Sequence, residues 1–295
     1  MKPNTFLFLA RSTKQYLGGC FLSLFIPILG IVLYQIIVER LGIKILEIQD
    51  LNVRLIYMLL PFTIFIILFL ACVHWIQKRR IKSLFTAFPT IRWMRIFSSF
   101  LIWFFINVLA DLVYHYVFQG EYHFSFNPNG FTNLILISIT LLFIQTTTEE
   151  ILVRGFLLQN FAQRYRIALL PIIWSSIIFM LLHNSNPEIE QFGFWPMSIF
   201  YFSVAFIMCV IAVLDNGLEI PLGLHAATNF YGACIVGYEG GALKTYSLFT
   251  IKDMNAPLMI TMNLLSILVF YFIINNLYSL SPVSTLTENL IDEEV

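Results

Sequence analysis

The chain has 295 residues, of which 59% are hydrophobic and 12% charged, and its mean hydropathy is +0.81. Soluble domains run nearer ~45–50% apolar and ~25% charged, so this composition excludes an ordinary water-soluble enzyme and predicts an all-α, polytopic protein in a lipid bilayer. Seventeen Lys and Arg balance seventeen Asp and Glu, which argues against a nucleic-acid partner or a generally acidic one.

Runs of about 20 apolar residues mark spanning helices. The sequence predicts about eight, over 16–38, 53–76, 96–118, 131–162, 168–184, 194–214, 218–236 and 257–279. The first is too long for a removable signal peptide and lacks a small-residue exit site, so it reads as a retained span. The third carries Asn107, Asp111 and His115 at four-residue intervals. Such a polar face inside lipid is expected to turn toward the bundle, where Asp111 could orient a histidine, carry protons or bond a neighbouring helix. The fourth is too long for one perpendicular span and is predicted to tilt, kink or project. The fifth is short. No linker or repeat divides residues 1–280, which read as a single transmembrane helical domain, and residues 281–295 form a polar, acidic and frayed tail. Cys20, Cys72, Cys209 and Cys234 fall in apolar stretches, with neither metal-ligand spacing nor a disulfide framework.

Orientation follows from Lys and Arg. Eleven fall on one side of the predicted spans: Lys2, Arg11 and Lys14, six between Lys78 and Arg95, then Arg164 and Arg166. Five fall on the other: Arg40, Lys44, Arg54, Lys244 and Lys252. The excess predicts both termini in the cytoplasm. The 78–95 cluster reads as a topology determinant that could also touch anionic headgroups.

Three polar motifs interrupt the apolar sequence. Glu149-Glu150 with Arg154 ends a polar opening in the fourth span, Phe179 precedes His183 by four residues in the fifth, and His225 precedes Asn229 by four in the seventh. Ionisable groups at membrane depth cost several kcal/mol and are functional by default. On a helix Glu150 and Arg154 share a face and form a structural pair. Glu149 points about 100° away, with no partner expected in its own helix, and is the candidate general base. Phe179 would wall His183 from lipid. His225 and Asn229 would face one cavity, where imidazole and amide can bind metal, orient water or donate to an oxyanion. Glu149, His183 and His225 could hold Zn²⁺ with an open position, although H-E-x-x-H is absent, and the same set could equally work without metal. Straight perpendicular helices would leave Glu149 and His183 at different depths. The fourth helix is therefore expected to kink, or the fifth to begin in the cytosol and end at mid-depth.

The ordered set E-E-x-x-x-R, F-x-x-x-H and H-x-x-x-N in a chain of about eight spans resembles the CAAX-protease and bacteriocin-processing family of intramembrane endopeptidases, over about residues 131–236. The resemblance implies that Glu149, His183, His225 and Asn229 form the catalytic site, with Glu150 and Arg154 supporting, and favours a glutamate-dependent mechanism without a cofactor or catalytic metal. It further implies a peptide or membrane-protein substrate and the plasma membrane of a prokaryote. Two alternatives use the same residues: a non-proteolytic bacteriocin-immunity or scaffold protein, and a proton-coupled transporter, for which no internal repeat is found.

Overall fold

The computed structural model describes residues 5–10, 17–288 and 290. Lys2, Arg11, Lys14 and, of the tail, residues 289 and 291–295 lie outside them. Eight helices carry the fold: α1 (Leu17–Arg40), α2 (Leu51–Trp75), α3 (Trp93–Phe118), α4 (Pro128–Ala162), α5 (Leu169–Leu182), α6 (Phe194–Leu214), α7 (Glu219–Phe230) and α8 (Ala256–Tyr278). Six of them, all but α5 and α7, are long and apolar enough to cross a membrane. The protein is an all-α, multi-pass integral membrane protein. Its outward-facing Phe, Leu and Ile side chains on α1, α3 and α8 are the surface that lipid covers.

Two of these helices begin where a side chain supplies an acceptor for orphan backbone N–H groups. Asp50 caps α2 by accepting from Asn52 and Val53, and Asn127 caps α4 by accepting from Gly130. α4 is 35 residues long, which exceeds a perpendicular crossing, and it departs from α-geometry twice. π-helical turns run over Ser138–Leu142 and Ile151–Leu158, on either side of the α-helical Phe143–Glu150 that carries the glutamates. Such wide turns shift the helical face and are frequent at functional sites.

One end of the bundle gathers the chain segments around 5–10, 77–92, 159–168, 214–219 and 280–290. There the Phe6 amide donates to Asn216 Oδ1 (3.0 Å), the Leu218 amide to the Phe85 carbonyl (2.7 Å) and the Ser281 amide to the Leu214 carbonyl (3.0 Å). The described part of the tail is docked rather than frayed: Leu286 and Leu290 are buried with Leu7, Leu158, Ala168 and Ile172. Part of the 78–95 cluster is engaged inside the protein. Arg79 is buried against Gln159, and Arg92 and Arg95 bind Asp215 and Glu219. Burial lowers the Arg79 guanidinium to about 10.

The opposite end carries a small sheet of order β1-β3-β2, from β1 (His123–Phe124), β2 (Val236–Tyr238) and β3 (Phe249–Ile251). β3 is antiparallel to β1 and parallel to β2. β2 follows directly on a π-helical turn, Tyr231–Ile235, that extends α7. The sheet therefore sits over the end of the helix that carries the third motif.

Two glycines let helices approach closely, as small residues do in membranes. A Cβ on Gly223 of α7 would run into the Ile96 carbonyl and the Phe100 amide of α3, and one on Gly155 of α4 would meet the Leu84 carbonyl. The contact of α7 with α3 is tied further by Trp103 Nε1, which donates to Thr228 Oγ1 at 2.7 Å.

Candidate active site

Helix lengths bring the motifs to one depth. Glu149 lies thirteen residues before the end of α4 at Ala162, about 20 Å along the axis, and the 14 residues of α5 raise His183 by about 21 Å from the same end. A short α5 thus removes the mismatch that straight spans of equal length would impose.

The two glutamates converge on one imidazole. His225 Nδ1 lies 2.7 Å from Glu150 Oε1, and Nε2 lies 3.5 Å from Glu149 Oε2. An ionised carboxylate only accepts, so the Nδ1 proton is the one donated to Glu150, which leaves Nε2 facing Glu149. Glu150 Oε1 also accepts from Arg154 Nη1 at 2.9 Å, and both side chains have zero exposure. Arg154 is braced by the Ala205 carbonyl of α6 (3.3 Å) and by the Phe179 ring, 4.7 Å from its guanidinium carbon. The pairing of Glu150 with Arg154 expected from their spacing is present, and Glu150 holds His225 as well.

Glu149 does have a partner in its own helix, contrary to the expectation from sequence. Gln145 Nε2 donates to Glu149 Oε1 at 2.5 Å, and Asn229 Nδ2 donates to Gln145 Oε1 at 2.9 Å. The carboxylate fixes the orientation of the bridge, since only the amide NH₂ can face it. Gln145 was legible only as part of a polar opening, because its role depends on a partner 84 positions away. Glu149 Oε2, in contrast, takes no hydrogen bond among the described residues although it is buried. The Glu149 side chain retains 17% exposure and Glu150 none.

His183 terminates α5. Its Nδ1 lies 2.8 Å from the Phe179 carbonyl, and because a carbonyl only accepts, the proton sits on Nδ1. The ring stacks on Phe179 at 4.2 Å and is tilted against Tyr201 of α6 at 4.7 Å. Phe179 also meets His225 edge-on at 6.4 Å. The two rings on His183 fix its orientation. Tyr201 was not singled out by any sequence pattern.

The polar stripe of α3 is placed elsewhere. Asn107 Nδ2 donates to the Trp103 carbonyl of its own helix (2.7 Å), and the exposed His115 has Nδ1 2.9 Å from the Gly120 carbonyl. Asp111 accepts from the phenols of Tyr122 (2.9 Å) and Tyr231 (2.5 Å), so it orients two tyrosines and not a histidine. Among the described residues no three His, Cys, Asp or Glu side chains are grouped as metal ligands are. Both motif histidines commit Nδ1 to a protein acceptor, which leaves Nε2 of each as the nitrogen open to a ligand or substrate.

The chain is 29% identical over 185 residues to the uncharacterized protein YyaK of Bacillus subtilis (strain 168), a match that covers 62% of each chain. The matched region thus spans less than two thirds of that relative's length. No solved structure matches the chain. The profile of the type II CAAX prenyl endopeptidase Rce1-like family matches residues 131–231. That stretch contains all three motifs and Gln145, so the resemblance to the CAAX-protease and bacteriocin-processing family is borne out over the part of the chain that builds the site.

Proposed function

We propose that the protein is an intramembrane endopeptidase in which Glu149 activates water. The observation that carries this reading is the asymmetry of the Glu149 carboxylate. One oxygen is fixed through Gln145 to Asn229, while the other is buried, without a hydrogen bond among the described residues, and faces His225 Nε2. A fixed carboxylate with one free lone-pair face is suited to remove a proton from water.

In the proposed reaction a substrate amide lies between Glu149 and the Asn229 amide. Glu149 Oε2 takes a proton from water as the water oxygen bonds to the carbonyl carbon. His183 Nε2, unprotonated while Nδ1–H is held by the Phe179 carbonyl, accepts the second water hydrogen and orients the attack. The oxyanion receives the Asn229 N–H that Gln145 does not use, and His225 Nε2–H when that ring is protonated. Glu149 then passes its proton to the leaving nitrogen as the C–N bond breaks, which yields a carboxylic acid and an amine. Glu150 and Arg154 hold His225 and touch no substrate. The substrate class is a peptide or a membrane-protein terminus, the end bearing Lys78 to Arg95 faces the cytoplasm, and no cofactor is required.

The test is cleavage of a quenched fluorescent peptide library by detergent-purified protein, wild type beside Glu149→Gln, each with and without a strong zinc chelator. The expected result is activity in wild type in both conditions and none in the variant. Turnover retained by Glu149→Gln would remove the assignment, and chelator-sensitive activity restored by zinc would replace it with a metalloprotease.

A further inference from the structure

Five residues past His183 lies a carboxylate that the proposed chemistry does not use. Glu188 belongs to a short helix, Pro187–Phe192, between the second motif and α6. It is 5% exposed, which is unusual for an acid on a connecting segment. Oε1 accepts from the Tyr238 phenol at 3.0 Å and from the Ala242 amide at 2.8 Å. Oε2 is buried and takes no hydrogen bond, and no Lys, Arg or His pairs with Glu188 among the described residues. Burial, and after it the Glu188 charge, raise the Tyr238 phenol well above its ordinary value, so it remains a donor.

Glu188 is next to the site described above. The Tyr201 ring that packs on His183 accepts at its phenol from Asn186 Nδ2 (3.2 Å), two residues before Glu188 on the same segment. Asn186 thus ties the segment that carries Glu188 to the ring that packs on His183. Tyr238 and Phe192 add aromatic surface beside Glu188, their rings 6.1 Å apart. A buried carboxylate with one oxygen committed, one oxygen free and aromatic faces around it has the composition of a cation site.

We propose that Glu188, with Tyr201 and Tyr238, forms a subsite for an ammonium or guanidinium group of the peptide that enters the Glu149 site. The inference rests on the protease reading for its ligand class. An extended chain advances about 3.3 Å per residue, so a cationic residue one to three positions from the scissile bond would reach Glu188 from across Tyr201. The cation completes the hydrogen bonding of Oε2 and neutralises a charge that no protein group balances.

The test is a binding measurement that needs no cleavage. N-acetylated, fluorescein-labelled octapeptides of Leu and Ala, with one Lys moved through each position, are titrated by anisotropy against detergent-purified Glu149→Gln protein. Norleucine replaces Lys in matched controls, and unacetylated norleucine peptides report on a terminal amine. At one or two adjacent positions Lys is expected to bind roughly tenfold tighter than norleucine, the scale of one charge-assisted hydrogen bond. That advantage is expected to vanish in Glu149→Gln/Glu188→Gln and to survive in Glu149→Gln/Glu190→Gln, which removes an exposed acid of the same short helix. A preference confined to unacetylated peptides would assign the subsite to a terminal amine, within the same proposal. Equal affinity for Lys and norleucine at every position, a lysine preference that survives Glu188→Gln, or no binding of any peptide would each overturn it. Failure of the protease reading looks different: the lysine preference stands while wild type cleaves none of the bound peptides.

Discussion

Two buried ion clusters sit in this bundle, and they are built to different rules. At the end where residues 5–10 and 281–288 dock, Arg92 Nη2 reaches Asp215 Oδ2 at 2.8 Å and Glu219 Oε2 at 2.6 Å, while Arg95 pairs with Asp215 and rests on the Tyr278 ring. Two cations meet two carboxylates, and every carboxylate oxygen there has a partner. At the motif site one cation, Arg154, stands against Glu149 and Glu150, and each glutamate keeps an oxygen without a hydrogen bond among the described residues. Breaking a buried pair is strongly destabilising because it strands a charge, so the closed cluster is a clamp joining α3 to the start of α7. The open cluster leaves acceptor capacity unfilled in a low-dielectric setting, a condition that structure alone does not favour and that proton transfer from substrate water would use.

The sharpest way to separate the clusters is Glu149→Gln. It preserves the shape of the side chain, so the thermal midpoint in detergent should stay put while peptide turnover falls roughly 10²–10⁴-fold or more. A loss of stability of about 3–5 kcal/mol, the cost of breaking a buried pair, would erase the distinction. Glu150→Ala should do the reverse of a clean catalytic lesion: it strands Arg154 at zero exposure and should cost about 3–5 kcal/mol, visible as lost folded protein. Glu150→Leu combined with Arg154→Met should recover much of that stability without recovering activity. If the double variant is no better than the single one, the buried pair is not the source of the loss.

Smaller effects probe the frame. Gly223→Ala forces α7 away from the Ile96 carbonyl of α3 and should cost about 1–3 kcal/mol of stability, with turnover reduced through the displaced His225. A denaturation midpoint equal to wild type would show that α3 and α7 have room to spare. Least of all, Arg95→Gln should change stability by less than about 1 kcal/mol, because Arg95 is partly exposed and Arg92 still satisfies both carboxylates. A loss as large as that from Glu150→Ala would mean that the clamp depends on both arginines.

Much of this was legible in the chain itself. Composition sets the solvent, and apolar runs set the helices, because a backbone in lipid must bond within its own segment. Four-residue spacing places Glu150 with Arg154 and Phe179 with His183, since i and i+4 share a helical face whatever surrounds them. The same rule gave the α3 stripe its face and not its partners. It put Asn107, Asp111 and His115 on one face but could not say which neighbour that face meets, and the neighbours of Asp111 are two tyrosines. Only the tertiary structure decided that Glu149 and Glu150 approach opposite nitrogens of one imidazole, that Gln145 joins Glu149 to Asn229, that a 14-residue α5 stops His183 at the depth of Glu149, and that Arg92 is a clamp before it is a topology signal. Those facts join residues 75 to 127 positions apart, or depend on where a helix stops. Local sequence carries periodicity and cost of burial, whereas the partner that offsets the cost is chosen by the packing of the whole bundle.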